Sequence, residues 1–194
     1  PLALARHATS KIRTLEDLEG VASLGFRGEA LASIASVARL SIATRARGAP
    51  HAWSIRAEGA QVGEVEPAAR ARGTTVLVED LYFNTPARRK FLRTEATEFG
   101  HCDEAFRRIA LAQPGIGFTL KHNGGVSAHV RPQPLAERAA ALLGREFLEA
   151  SVPLEAQAGA LRLHGLAGSP QTARASSSPA GAKVFWGSPV VLPT

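Results

Sequence analysis

Methionine is absent from the 194 residues, and cysteine and tyrosine occur once each. With Pro1 in first place, the missing methionine leads to the expectation that the numbering does not begin where translation begins. Cys102 alone forms no internal disulfide and has no second thiol for a zinc site, which suits a reducing compartment, so a cytoplasmic location is expected. No apolar run approaches the roughly 18 residues that cross a bilayer, and residues 1–7 are too short and too basic at their end for a signal peptide, so no membrane partner is expected. Trp53, Trp186 and Tyr82 are too scattered to make a stacking platform for single strands. No internal repeat is present.

What remains is 45% hydrophobic and 21% charged, enough for one or two ordinary globular domains. Lysine and arginine number 23 against 17 acids, a net charge of +6. That excess favours a polyanionic partner through counterion release. It equally fits coding bias that puts arginine on solvated faces, and charge alone leaves both readings open.

Thr14 can cap a short helix over 14–22, with Glu16 and Asp17 in the first turn where the helix dipole favours acids. A glycine loop at 24–28 breaks it, and Leu31, Ile34 and Val37 restart a helix on one face. Four strand-like runs, 40–44, 52–57, 62–65 and 74–78, alternate as antiparallel strands of one sheet with a wet face. The longest helical signal, 94–112, ends at Pro114-Gly115 and is expected to cover that sheet. Residues 116–122 and 126–130 read as a hairpin across Asn123-Gly124-Gly125, because Asn and Gly accept the positive φ such turns require. Pro132 and Pro134 neither donate to a ladder nor continue a helix, which places a domain boundary there. A helix over 135–143 and strands over 151–156 and 160–166 open a second domain, and residues 169–194 read as a poorly packed tail.

Gly25-Phe26-Arg27-Gly28-Glu29 is the most suggestive chemistry. Two glycines flank an arginine ahead of a helix, so backbone N–H groups converge where an anion such as phosphate would sit. On spacing alone a plain helix-to-helix turn is the stronger reading, since this is neither a Walker A loop nor a Gly-x-Gly-x-x-Gly fingerprint. His7, Thr9, Ser10 and Lys11 place a cation and hydroxyls on a glycine-free segment able to close over phosphates, or else form a solvated helix end. Thr74 begins a strand after Gly73, where its hydroxyl would reach a base edge or simply enter the sheet. Thr85 and Pro86 signal a helix start, followed by Arg88, Arg89, Lys90 and Arg93. Those four cations would contact DNA phosphates or make a solvated helix face. His101, Cys102 and Asp103 carry groups that bind metals or react as thiols, but without partners a half-buried stretch of helix is the better reading.

Arg-His-Ala-Thr-Ser-Lys-Ile at 6–12, Leu-Gly-Phe-Arg-Gly-Glu-Ala-Leu-Ala-Ser-Ile at 24–34 and Asn-Thr-Pro-Ala-Arg-Arg-Lys-Phe-Leu at 84–92 resemble, in order and spacing, the signature stretches of the MutL family of DNA mismatch repair proteins. The likeness runs from Leu2 to about Gly168. It implies an α+β fold of the gyrase, Hsp90, histidine kinase and MutL (GHKL) superfamily, with an antiparallel or mixed sheet backed by helices. Residues 1–131 would be the later part of the ATPase domain and 135–168 the beginning of a transducer-like domain.

The resemblance implies an ATP site in which His7, Thr9, Ser10 and Lys11 belong to the lid. Gly25, Phe26, Arg27, Gly28, Glu29, Ala30 and Leu31 would wrap the phosphates, and Thr74 would lie near adenine. The family's general-base Glu, its magnesium-binding Asn and its adenine-reading Asp precede the lid. The expectation is therefore a fragment, inactive by itself, of a parent ATPase using ATP and Mg²⁺. Lys183 lies outside the matching stretch and takes no γ-phosphate role. Implied partners are DNA, a MutS-type mismatch-recognition protein, a downstream endonuclease or helicase, and a second copy in a homodimer. Two alternatives stand beside this reading: another ATPase of the superfamily, such as a topoisomerase or chaperone, and a non-catalytic basic DNA-binding module.

Overall fold

The computed structural model describes residues 2–19, 25–159 and 161–169. These fall into two compact units that divide between Leu92 and Arg93.

The first unit opens with a 3-10 turn, Leu2–Leu4, and a short helix α1, Leu15–Glu19. Thr14 starts α1 as expected: its hydroxyl accepts from the Asp17 N–H at 3.2 Å, while the Asp17 carboxylate accepts from the Thr14 N–H at 3.1 Å. This reciprocal pair satisfies donors that a helix start otherwise leaves bare. The rest of the expected helix, residues 20–22, and Leu24 lie outside the described residues.

Helix α2, Ala30–Ala35, leads into a sheet built from β1 (Arg39–Arg45), β2 (Ala52–Glu58), β3 (Gln61–Val62), β4 (Glu66–Ala68) and β5 (Gly73–Glu79). The order is β3-β2-β1-β5, with β4 also pairing β2, and every pairing is antiparallel. Of the expected strand at 62–65 only Val62 lies in a strand: Gly63 still donates its N–H to the Arg56 carbonyl at 2.9 Å, one step further along the β2–β3 register, and the chain then leaves the sheet until β4 begins at Glu66.

Alternation in β1 puts Leu40 and Ile42 inward, where they join Leu4, Ala35 and Ala57 in a core flanked by Leu31, Ile34 and Ile55. Strand β5 departs from the expected pattern of one wet face: every residue in it is exposed, Val76, Leu77 and Val78 included. A four-residue helix α3, Pro86–Arg89, ends this unit. Thr85 starts it with its backbone rather than its side chain, since its carbonyl accepts from Arg88 and Arg89 while its buried hydroxyl lacks a partner.

The second unit holds the long helix α4, Glu95–Ala112, the hairpin β6 (Phe118–His122) and β7 (Gly125–Val130), helices α5 (Leu135–Leu143) and α6 (Arg145–Glu149), and the ribbon β8 (Ser151–Ala158) and β9 (Leu161–Gly168). The hairpin turn is tighter than the three residues expected. Asn123 and Gly124 both take positive φ, 49° and 80°, and His122 pairs Gly125 directly.

Ala110 and Leu111 of α4 pack with Val130, Ala139 and Leu142 in a core of this unit's own. The proline stretch at 131–134, expected as a domain boundary, lies inside this unit. Arg138 reaches back across it to the carbonyl of Arg131, and Gln133 donates to the carbonyl of Pro114. Of the expected tail only Ser169 is described, and its N–H donates to the Ala150 carbonyl at 2.8 Å.

Candidate functional site: a glycine loop under a cationic segment

Leu4, buried in the first core, ties residues 2–8 to α2. The chain then passes directly over the glycine loop. Gly28 has φ +65°, and a Cβ there would stand 2.4 Å from the Ala8 carbonyl oxygen and 2.9 Å from the Ala8 nitrogen. Only glycine permits so close a backbone crossing. Gly25 also has positive φ, +70°, and the nearest atom to a Cβ at that position would be Lys11 Nζ at 3.8 Å. The lysine ammonium lies beside the loop.

His7, itself at φ 61°, sets its Nδ1 3.1 Å from Glu29 Oε1, a second clasp between the crossing segment and the loop. Thr9 turns its hydroxyl to accept from the Lys11 N–H at 3.2 Å. Arg27 lies over the Phe26 ring, 5.7 Å from its centroid.

These residues line one cleft of about 1060 Å³. It gathers His7, Thr9, Ser10, Lys11, Gly25, Phe26, Arg27, Gly28, Glu29, Ala30 and Leu31, every residue expected of the phosphate side. Leu2, Ala3, Ala8 and Arg13 also line it, and sequence reasoning did not single them out. For Arg13 the available signal was a cation two places beyond Lys11. For Ala8 it was a contact made by backbone alone, which residue types do not display.

Thr74 is not in this lining. Its hydroxyl bonds Thr44 Oγ1 across the β1–β5 ladder at 2.8 Å.

The expected cationic cluster is more dispersed than a single helix face. Arg88 and Arg89 lie on α3 and Lys90 caps it, all exposed and without an ion pair among the described residues. Arg93 falls beyond the helix and in the other unit, its N–H donating to Glu98 Oε1 at 2.8 Å. Arg107 and Arg108 pair one turn back with Asp103 and Glu104. Cys102 is exposed rather than half-buried, and among the described residues no three His, Cys, Asp or Glu side chains gather as a metal site. Among the described residues no helix is long and apolar enough to cross a membrane.

A helix-backed antiparallel sheet followed by a second α+β unit is the arrangement of the MutL ATPase domain, a GHKL fold. The Aquifex aeolicus MutL ATPase domain complexed with ADP superposes with a TM-score of 0.60 at 30% identity, over 74% of this chain and 56% of that one. A second structure of the Aquifex aeolicus domain gives 0.60 at 26% identity, over 84% and 60%. No family model matches the chain. The DNA mismatch repair protein MutL of Herminiimonas arsenicoxydans is 56% identical over 177 residues, and that of Thiobacillus denitrificans 55% identical over 175. The chain belongs to the MutL family of DNA mismatch repair proteins. Each alignment covers 90% of this chain and 29% of the relative, so the chain spans under a third of the length of these relatives.

Proposed function

We propose that this chain supplies the phosphate side of an ATP site in a mismatch-repair ATPase whose nucleotide state governs dimerisation and DNA engagement. One observation carries the reading. Lys11 and the hydroxyls of Thr9 and Ser10 line the same cleft as the Gly25–Gly28 loop, whose crossing under Ala8 leaves no room for a side chain at Gly28. A lysine beside a glycine-rich turn answers the charge and the close approach that a polyphosphate requires.

In this reading residues 7–11 are the lid and residues 25–31 the phosphate loop. Thr74, on β5, would meet the adenine end of the nucleotide. Residues 1–131 would belong to the ATPase domain and 135–168 to the start of the next, a functional division that would fall within the second compact unit. Hydrolysis needs a positioned water and a metal that neutralises developing charge. This chain's residues would bind and enclose the phosphates, while the general base and the ligands for Mg²⁺ would come from elsewhere in the protein.

The exposed cations Arg88, Arg89 and Lys90 would contact the DNA backbone without reading sequence. A MutS-type mismatch-recognition protein, a downstream endonuclease or helicase, and a second copy of the protein would be the other partners. Replacing Lys11 by Ala tests the nucleotide reading: affinity for ADP should fall about tenfold or more, the scale of one charge-assisted contact. Unchanged affinity would remove Lys11 from the site.

A further inference from the structure

Helix α2 begins one residue after the Gly25–Gly28 loop, at Ala30, and the carbonyls of its C-cap, Ser36, and of the next residue, Val37, both have hydrogen-bond donors. The side-chain amide of Asn84 donates to the Ser36 carbonyl at 2.9 Å, and the Tyr82 N–H donates to the Val37 carbonyl at 2.7 Å. One residue beyond Asn84, Thr85 starts the helix that carries Arg88 and Arg89. Six helical residues rise about 9 Å, so a short packed rod separates the cleft from the turn that sets the basic helix. Leu31, Ile34 and Ala35 seat that rod on the core.

The turn itself is held away from its relaxed shape. Asp80 and Tyr82 both lie in the left-handed region, at φ 51° and 64°; aspartate visits it readily, but a bulky tyrosine adopts it only when the surroundings impose it. Arg39 imposes it from one side, with Nη1 2.6 Å from Asp80 Oδ2 and the guanidinium 5.3 Å over the Phe83 ring. Gly59 closes the other side: a Cβ there would stand 3.3 Å from Asn84 Nδ2. A constrained turn has a second arrangement within reach when one of its clamps shifts, and a chain of packed contacts with two arrangements is what carries coupling between sites.

We propose that Asn84 is a positioning residue that transmits the state of the phosphate loop, through the carbonyl end of α2, to the cations of α3. The proposal rests on the nucleotide and DNA reading above. Phosphate bound at residues 25–29 shifts or stiffens α2, Asn84 and the Tyr82 amide follow the Ser36 and Val37 carbonyls, and the orientation of Arg88, Arg89 and Lys90 changes with them. Asn84 touches neither ligand; it acts through the carbonyl of Ser36, the C-cap of α2.

The test uses the full-length protein and measures its affinity for a fluorescent DNA duplex with and without a non-hydrolysable ATP analogue. It is run on wild type, Asn84→Ala and the isosteric Asn84→Asp, which keeps shape but loses the donor. For wild type the analogue should change duplex affinity by about fivefold or more. In both variants that factor should fall to nearly one, while affinity for each ligand alone stays within about twofold and the melting curve remains cooperative. Variants that keep the wild-type factor overturn the proposal and leave the two sites standing. Variants that unfold, or that lose either ligand when it is offered alone, make Asn84 a structural residue and also overturn it. A wild type that binds both ligands without coupling overturns the relay alone, whereas one that binds neither overturns the underlying reading and the relay with it.

Discussion

The guanidinium of Arg138 donates through Nη1 to the Ala110 carbonyl at 2.5 Å, tying a fully buried arginine of α5 to the last turn of α4. Its Nη2 also meets the carbonyls of Pro114, Ile116 and Arg131 at 3.0, 2.7 and 2.7 Å. The guanidinium carbon stands 5.8 Å from the centroid of the Phe118 ring. Among the described residues no carboxylate pairs with the guanidinium to balance its charge. The carbonyl dipoles, including those at the end of α4, take that role, and burial pulls the guanidinium's pKa below its ordinary value. Replacing Arg138 by Met keeps the volume but strands these carbonyls, and the unfolding free energy should fall by about 3 kcal/mol, roughly one for each of several lost bonds. Arg138→Lys should recover little of it, since one ammonium does not span the same fork. Denaturant titration of both variants checks this, and a loss below about 1 kcal/mol would contradict it.

Gly25 and Gly28 share a positive φ but differ in what surrounds them, which separates backbone strain from steric conflict. Alanine at either position costs about 1 kcal/mol in the left-handed region. Only at Gly28 does the added methyl meet backbone, at Ala8. Gly28→Ala should therefore displace residues 7–11 and speed amide exchange there, while Gly25→Ala, whose nearest neighbour is the flexible Lys11 ammonium, should leave that segment protected. Equal exchange in the two variants would contradict the packed crossing.

The two units were unequally legible from residue types. The Thr14 and Asp17 helix start and the Asn123-Gly124 turn depend on local conformational needs that few residue types meet, and they were readable; the cleft residues were joined only by the family resemblance, since their spacing alone favours a plain turn. The anchor at Arg138 was not: in Leu-Ala-Glu-Arg-Ala-Ala it looks like a solvated helix cation, and its partners lie up to 28 residues away. The same long-range bonds explain why two prolines at 132 and 134 do not separate compact units. Arg88 to Arg93 suggested one helix face, yet α3 ends at Arg89.

Glu95 fastens the hairpin turn to the first turn of α4. Its Oε1 accepts from Asn123 Nδ2 at 2.7 Å and meets His122 Nε2 at 2.9 Å, while Phe99 stacks on the His122 ring with centroids 4.1 Å apart. The Asn123 amide first, and His122 second, hold the carboxyl's pKa below its ordinary value. A depressed carboxyl contributes above its unfolded pKa and loses that contribution as pH falls through the folded one. The His122 and Asn123 resonances should thus shift only as pH drops below the ordinary glutamate range, and Glu95→Gln should abolish that acid-side dependence. A pH response unchanged in that variant would contradict the fastening.

Strand β5 pairs with β1 and has no strand on its other side among the described residues. Val76, Leu77 and Val78 are 47%, 46% and 42% exposed along that edge, a template for pairing with another chain. The 194-residue chain should associate as its concentration rises, and Leu77→Lys should reduce the association. Sedimentation velocity distinguishes the outcomes: a monomer at all concentrations, or association untouched by the lysine, would contradict an open β5 edge.

The duplex contact rests on charge alone and is testable by salt. If Arg88, Arg89 and Lys90 each neutralise a phosphate, replacing all three by Ala should flatten the slope of log affinity against log salt by about two to three units. An unchanged slope with a lowered melting temperature would make them structural.

The most direct test of the account is where nucleotide perturbs this chain. Amide chemical shifts followed during titration with ADP should move most at residues 25–31 and 7–11, with Gly25, Gly28 and Lys11 among the largest changes and the α5 to β9 region still. Shifts absent from the glycine loop, or concentrated in the second unit while the loop stays unmoved, would contradict the assignment of this cleft as the phosphate side of the site.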